Sequence, residues 1–257
     1  MNNINYCGGV FMKQILGKLR RAVQDFNMIQ DGDKIAVGLS GGKDSTLLLY
    51  ALSLYSKFSP EKFEVCAITI NLGFKKVDYT PLKEFCSKLN VEYNIIDTNI
   101  SEIVFDIRKE KNPCSLCANL RRGALNNNAK ALGCNKVALG HHSNDAEETL
   151  LMSLLYEGRI STFSPVTHLE RKDIYVIRPF VYIREKDIIG ACRKNNIPIV
   201  KNPCPANGYT SRQYIKELIK KIKKDVPDAE SNILGAIMNT DELNIWDKEQ
   251  ISKICKK

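Results

Sequence analysis

The segment "NPCSLCANLRRG", residues 112–123, sets Cys114 and Cys117 at C-x-x-C spacing and follows them with Arg121 and Arg122. Such a pair can bind zinc, cycle through a disulfide or hold an iron–sulfur cluster. Thiolate is the metal-binding form, and neighbouring guanidinium charge favours it. A third cysteine, Cys204, stands in "KNPCPANGYTSRQ". Pro113 and Pro203 stiffen the approach to Cys114 and Cys204. If the fold brings Cys204 beside the pair, three thiolates leave a fourth tetrahedral position open. A structural zinc site is normally closed by a fourth ligand. An open three-cysteine site suits a [4Fe–4S] cluster whose unique iron binds an exogenous ligand. The other cysteines (Cys7, Cys66, Cys86, Cys134, Cys192 and Cys255) read as small buried apolar residues or inert thiols.

A second chemical segment is "LSGGKDS", residues 39–45. Gly41 and Gly42 let the backbone approach a phosphate and adopt positive φ. The helix that follows offers unpaired N–H groups and partial positive charge. Ser40 and Ser45 add hydroxyl donors, and Lys43 adds a point charge. Asp44 suits a phosphate site only with a cation between them, and Mg²⁺ is the natural bridge. The spacing is neither G-x-x-x-x-G-K-[ST] nor G-x-G-x-x-G. A third segment, "GHHSNDAEE", leaves a strand and opens a helix. There Gly140 permits close approach to adenine, and His141 or Asp145 can contact nucleotide or substrate. Asp145 also fits an N-capping role.

These residues need a frame. Residues 11–26 predict a basic amphipathic helix with Met12, Ile15, Leu19 and Val23 on one face. A buried strand follows over residues 35–39, then the glycine loop, then "DSTLLLYALSLY" as a helix that Asp44 or Ser45 can cap. "EVCAITIN", "EYNIID" and "NKVALGHH" read as further strands. Helices are expected from Thr80-Pro81, over residues 117–132 with a left-handed stop at Gly133, and over residues 145–156. Strands alternating with helices mean an α/β fold: an open parallel sheet with helices on both faces. Ligands of such sheets bind at the carboxyl ends of strands. That places a phosphate-bearing ligand over the glycine loop, with Val37, Gly38, Leu39 and Asn71 at the neighbouring strand ends. Beyond about residue 200 the pattern is mostly helical. The expected organisation is a helical segment over 1–30, an ATP-binding domain over 31–200 and a helical region over 201–257.

The chain has 257 residues, 44% of them hydrophobic, enough to bury a core without staples. Nine scattered cysteines and no apolar run near the first residues argue for a cytoplasmic protein, not a disulfide framework or a membrane anchor. The net charge of +9 fits a solvated surface or a polyanionic partner such as RNA. Basic groups concentrate at residues 18–21, 109–111, 121–122 and 216–224. "YIKELIKKIKK" sets Ile215, Leu218, Ile219 and Ile222 on one face and lysines on the other. Arg178, before Pro179 at a strand end, can hold phosphate or a salt bridge. His168 and Trp246 read as packing residues.

S-G-G-x-D-S after an apolar strand resembles the loop of the PP-loop ATP pyrophosphatases, which transfer AMP to a substrate oxygen. Five ordered blocks narrow the resemblance to TtcA-type tRNA 2-thiocytidine synthetases: "FNMIQDGDKIAVGLSGGKDS", "CSLCANLRRG", "KVALGHHSNDAEETL", "VIRPFVYIREKDI" and "NPCPANGYTSRQ". The resemblance implies a [4Fe–4S] cluster on Cys114, Cys117 and Cys204, ATP with Mg²⁺ on Asp44, and catalytic roles for Lys43, Asp44 and Asp145. It implies adenylation of the C2 oxygen of a tRNA pyrimidine, foremost an anticodon-loop cytidine, followed by sulfur transfer. The implied partners are tRNA and a sulfur donor such as a cysteine desulfurase or free sulfide, in a homodimer. The chain departs from the usual G-H-H-R-D-D at Ser143 and Asn144, and Asn207 replaces a fourth cysteine. The rival readings are a cluster-free persulfide or disulfide thiolase, a TtuA-like uridine thiolase and a zinc-stabilised nucleotide- or RNA-binding module.

Overall fold

The apolar runs become strands because helices cover both faces of the sheet they build. The structure, a computed structural model, describes residues 10–74, 77–109, 113–200, 204 and 210–239. Cys7, Pro203, Asn207, Trp246 and Cys255, and part of the basic run 109–111, lie outside the described residues. In chain order the elements are α1 (Val10–Asp25), β1 (Lys34–Gly38), α2 (Lys43–Tyr55), β2 (Glu64–Asn71), α3 (Thr80–Leu89) and β3 (Glu92–Asp97). Next come α4 (Ile100–Glu102), which runs on as a π-helical turn over Ile103–Ile107, then α5 (Pro113–Ala131), β4 (Lys136–Ala138) and α6 (Ser143–Glu157). A hairpin of β5 (Val166–Leu169) and β6 (Ile174–Ile177) leads to α7 (Glu185–Lys194), α8 (Ser211–Asp225) and α9 (Ala229–Met238).

The sheet order is β3-β2-β1-β4-β6-β5. Neighbouring strands are parallel, as the sequence predicts, except β5 against β6. The antiparallel edge follows from its connection: one 3-10 turn, Glu170–Lys172, closed by Asp173 at φ 46°, is too short for a crossover. Side chains alternate between two cores. Ile35, Val37 and Ala67 pack with apolar residues of α1, α2, α3 and α7, whereas Ala36, Cys66 and Ile68 pack with those of α4 and α5. The expected stripe on α1, Met12, Ile15, Leu19 and Val23, is buried.

Two local expectations are corrected. The N-cap of α2 is Gly42, not Asp44 or Ser45, and no side chain caps it. Ser45 Oγ instead accepts from Ser40 N–H at 3.1 Å and donates to Gly42 C=O at 3.1 Å, and Asp44 pairs with Lys43. The helix expected from Cys117 begins a turn earlier, at Pro113, because Pro is preorganised for a first helical position.

The chain divides into two compact units. One comprises Met1–Ala146 and Phe163–Tyr209, the other Glu147–Thr162 and Thr210–Lys257. The first holds the whole sheet. In the second, Thr210 Oγ1 caps α8 by accepting from Gln213 N–H at 3.2 Å, Ile215 and Ile219 are buried, and Lys220, Lys221 and Lys224 are exposed. Arg212 reaches the buried Glu148 at 3.2 Å. No helix among the described residues is long and apolar enough to cross a membrane.

Under β1, Lys136 Nζ meets Asp33 at 2.7 Å and Met28 C=O at 3.0 Å, and both charged side chains are buried. Asn135 Nδ2 and the Gln30 N–H also donate to Asp33. Removing one partner strands a buried charge. Asp33→Ala is therefore expected to cost about 3–5 kcal/mol, read as a fall in melting temperature of roughly 10 °C.

Candidate functional site

The strand order reverses between β1 and β4, so their carboxyl ends open a crevice. The loop after β1 carries residues 39–45, and the loop after β4 carries Gly140 and His141. Gly41 takes φ +83°, a left-handed turn that favours glycine. Gly140 sits directly on the first turn of α2. A Cβ there would stand 2.9 Å from the Asp44 carbonyl carbon and 3.1 Å from Ser45 N. The two loops therefore touch through backbone. Gly38 is tight for another reason, since a Cβ would meet Leu125 of α5 at 2.8 Å. Val37 and Leu39 are buried, which leaves only their backbone for a ligand. Leu39 N–H donates to Ile68 C=O, and its C=O accepts from Thr69 Oγ1 at 2.6 Å.

Lys43 and Asp44 pair at 3.0 Å in the first turn of α2. Lys43 also reaches Glu185, in the first turn of α7, at 3.2 Å. Burial works to lower the Lys43 pKa, but Asp44 and Glu185 outweigh it and raise the value, so the ammonium stays charged. Asp44 Oδ1 is buried and accepts no hydrogen bond among the described residues; His142 Nε2 lies 3.8 Å from it. A buried carboxylate oxygen with spare capacity beside a glycine loop is what a bridging divalent cation requires.

Asp145 and His142 form a reciprocal cap at the start of α6. Asp145 Oδ2 accepts from His142 N–H at 2.9 Å, and Asp145 N–H donates to His142 Nδ1 at 3.3 Å. His142 thus lies between the Asp44 and Asp145 carboxylates. At the departures from the resemblance, Ser143 is buried and donates to Ile183 C=O at 3.1 Å, and Asn144 Oδ1 accepts from Glu185 N–H at 3.0 Å. Asn144 thereby holds the α7 terminus that presents Glu185 to Lys43. Sequence reasoning missed Glu185 and His142, because neither spacing nor residue type marks a contact made across elements. Asn71, at the end of β2, donates to Asp97 at 2.8 Å and accepts from Gly73 N–H at 3.3 Å. His168 stacks on Tyr175 and lies 3.4 Å from Asp173, as a packing residue does.

Cys114 and Cys117 lie one turn apart at the start of α5, the first exposed and the second half-buried. Burial is the largest influence on Cys117 and raises its pKa. Arg121 pulls it down, while Cys204 and Cys114 push it up as neighbouring thiols. The expectation that the arginines win is corrected: desolvation outweighs Arg121, and Arg122 turns to Ala118 C=O and Asn119. Among the described residues no three His, Cys, Asp or Glu side chains are already drawn together as metal ligands. Even so, Cys117 feels both other thiols. Val200, four residues ahead of Cys204, is anchored at the glycine loop, where its N–H donates to Gly41 C=O at 2.9 Å. Cys66, Cys86, Cys134 and Cys192 are buried, as their surroundings in sequence predict.

A parallel sheet with a glycine loop at its reversal point defines a nucleotide-binding α/β protein, and the family model of the PP-loop domain matches residues 13–222. The chain belongs to the tRNA-cytidine(32) 2-sulfurtransferase family of PP-loop proteins. It is 34% identical to the tRNA-cytidine(32) 2-sulfurtransferase of Geobacter sulfurreducens over 99% of this chain and 98% of that protein. With the corresponding protein of Dichelobacter nodosus it shares 37% identity over 93% of this chain and 89% of the relative. Among solved structures it is similar to the U34-tRNA thiolase NcsA from Methanococcus maripaludis with its [4Fe-4S] cluster. That match has a TM-score of 0.74 and 25% identity, covering 94% of this chain and 82% of that one.

Proposed function

We propose that this chain is an ATP-dependent tRNA sulfurtransferase that converts an anticodon-loop cytidine to 2-thiocytidine. What supports the reading is that Cys117, one turn from Cys114 on α5, lies within electrostatic reach of Cys204, while Val200 is bonded to Gly41 of the nucleotide loop. Sulfur chemistry and nucleotide chemistry then share one crevice. Cys114, Cys117 and Cys204 would hold a [4Fe–4S] cluster. When bound, the cluster supplies an iron with an open position for exogenous sulfur.

The chain's own residues do the rest. Backbone N–H groups of the loop and the α2 terminus receive the phosphates of ATP. Ser40 and Ser45 add hydroxyls. Lys43, kept protonated by Asp44 and Glu185, offsets charge that develops on the α-phosphate. Asp44, with one carboxylate oxygen unpartnered among the described residues, would hold Mg²⁺, which would offset phosphate charge. The C2 oxygen of the base attacks the α-phosphorus, and pyrophosphate leaves with the electrons of the broken P–O bond. Sulfide then adds at C2, and the adenylated oxygen departs as AMP. His141 and Gly140 bound the crevice toward the base, and Asp145 keeps His142 oriented. Exposed lysines of α8 offer a basic face for tRNA phosphates. A cysteine desulfurase or free sulfide is the donor, and a homodimer is the working assembly.

The test is mass spectrometry of tRNA nucleosides from cells with and without the gene, and from tRNA treated in vitro with ATP, Mg²⁺, sulfide and the reconstituted protein. 2-Thiocytidine that depends on the gene and on ATP is the expected result. Its absence from both experiments, or 2-thiouridine in its place, overturns the reading. Asp44→Asn keeps the size of the side chain and removes its charge. It is expected to lower Mg²⁺-dependent AMP formation by about 10²–10³-fold, measured at saturating tRNA.

A further inference from the structure

Arg178 leaves the carboxyl end of β6 and turns into a crowded place without an acid. Its Nη1 donates to Ser164 C=O at 2.6 Å and to Thr167 Oγ1 at 3.2 Å. Its guanidinium lies 5.2 Å from the centre of the Phe163 ring, and Phe163 in turn contacts the His141 ring at 5.1 Å. Its Nε is buried and finds no acceptor among the described residues, and no carboxylate pairs with it there. A guanidinium that is only structural normally ends on a carboxylate or fills its donors with carbonyls. Arg122 on α5 is near enough for its charge to act on Arg178; it is held to its own helix by Ala118 C=O and Asn119, and it too pairs with no carboxylate among the described residues. Burial first, then the like charge of Arg122, lowers the Arg178 pKa to about 10. A half-buried guanidinium with one buried donor spare thus stands near a second, exposed cation. A dianionic or monoanionic oxygen group supplies both the missing charge and the missing acceptor.

We infer that Arg178 and Arg122 form a seat for a phosphate group at the carboxyl end of β6, beside His141. The inference rests on the proposed action on tRNA and ATP, and either molecule can provide the phosphate. Binding is measured without turnover, by anisotropy of a labelled tRNA transcript over a series of KCl concentrations and by calorimetric titration of ATP. Arg178→Gln and Arg122→Gln are each expected to weaken one of these ligands roughly tenfold. For a tRNA phosphodiester, the slope of log affinity against log salt also falls by about one unit. For a nucleotide phosphate, ATP weakens and tRNA does not. Arg178→Lys keeps the charge and loses the fork, so it is expected to recover only part of the loss. Arg122 is exposed and bonds only to its own helix, so Arg122→Gln decides the matter if Arg178→Gln fails to fold. Unchanged affinity for both ligands in the folded variants overturns the seat. A parent protein that makes no 2-thiocytidine, while these variants still lose phosphate affinity, overturns the function and leaves the seat standing.

Discussion

Cys204→Ser protein is expected to bind ATP and to form no thiolated nucleoside, a loss on the order of 10²-fold or more in sulfur transfer. Serine is close in size to cysteine but is not a thiolate at neutral pH, so the third ligand disappears while the backbone stays. Val200, four residues ahead of it, is secured independently, its N–H donating to Gly41 C=O at 2.9 Å, so the nucleotide loop keeps its support. Cys114→Ser and Cys117→Ser are expected to behave alike, since each removes one of the three proposed ligands. Two measurements check this after anaerobic reconstitution: the thiolate-to-iron absorbance of the protein, and 2-thiocytidine by mass spectrometry. Full thiolation by a colourless Cys204→Ser protein would favour a persulfide route on Cys114 and Cys117 and sink the three-ligand site.

Gly140→Val is expected to abolish ATP-dependent AMP formation, by about 10²-fold or more in kcat/KM, while the sheet still forms. The atoms in the way are backbone: the Asp44 carbonyl carbon at 2.9 Å, its oxygen at 3.0 Å and Ser45 N at 3.1 Å. No rotamer change relieves such a contact, so the first turn of α2 must move. Displacements of about 1 Å at a reacting centre carry losses of this size. Gly123→Ala is the control. Its Cβ meets nothing within 4 Å inside α5, and the change is expected to stabilise the protein by about 0.5–1 kcal/mol. Stopped AMP release with an unchanged circular dichroism spectrum is the expected pattern for Gly140→Val. Normal AMP release would show that the two loops part freely.

Much of the site was legible in residue types. The glycines, Lys43 and Asp44 announce phosphate chemistry wherever they stand, and Cys114 with Cys117 announces sulfur chemistry. What misled was the expected balance at Cys117. Counting arginines in the sequence predicts a lowered pKa, but desolvation depends on how deeply α5 packs, which no neighbour in sequence records. The Asp145 environment was half legible: an N-cap was foreseen, but not that His142 would reciprocate and face Asp44.

The sequence by itself determined the elements. The continuous apolar runs of β1 and β2, the stripe on α1, and the glycine and proline stops all act over a few residues, so they can be read without a fold. Only the tertiary structure decided the meetings: Gly140 on Asp44, Glu185 on Lys43, Val200 on Gly41, Cys204 near Cys117 and Arg122 toward Arg178. The physical reason is that strand order is set by burying two helix layers against one sheet. That long-range packing brings together residues as far apart as 41 and 200, where local propensity carries no information.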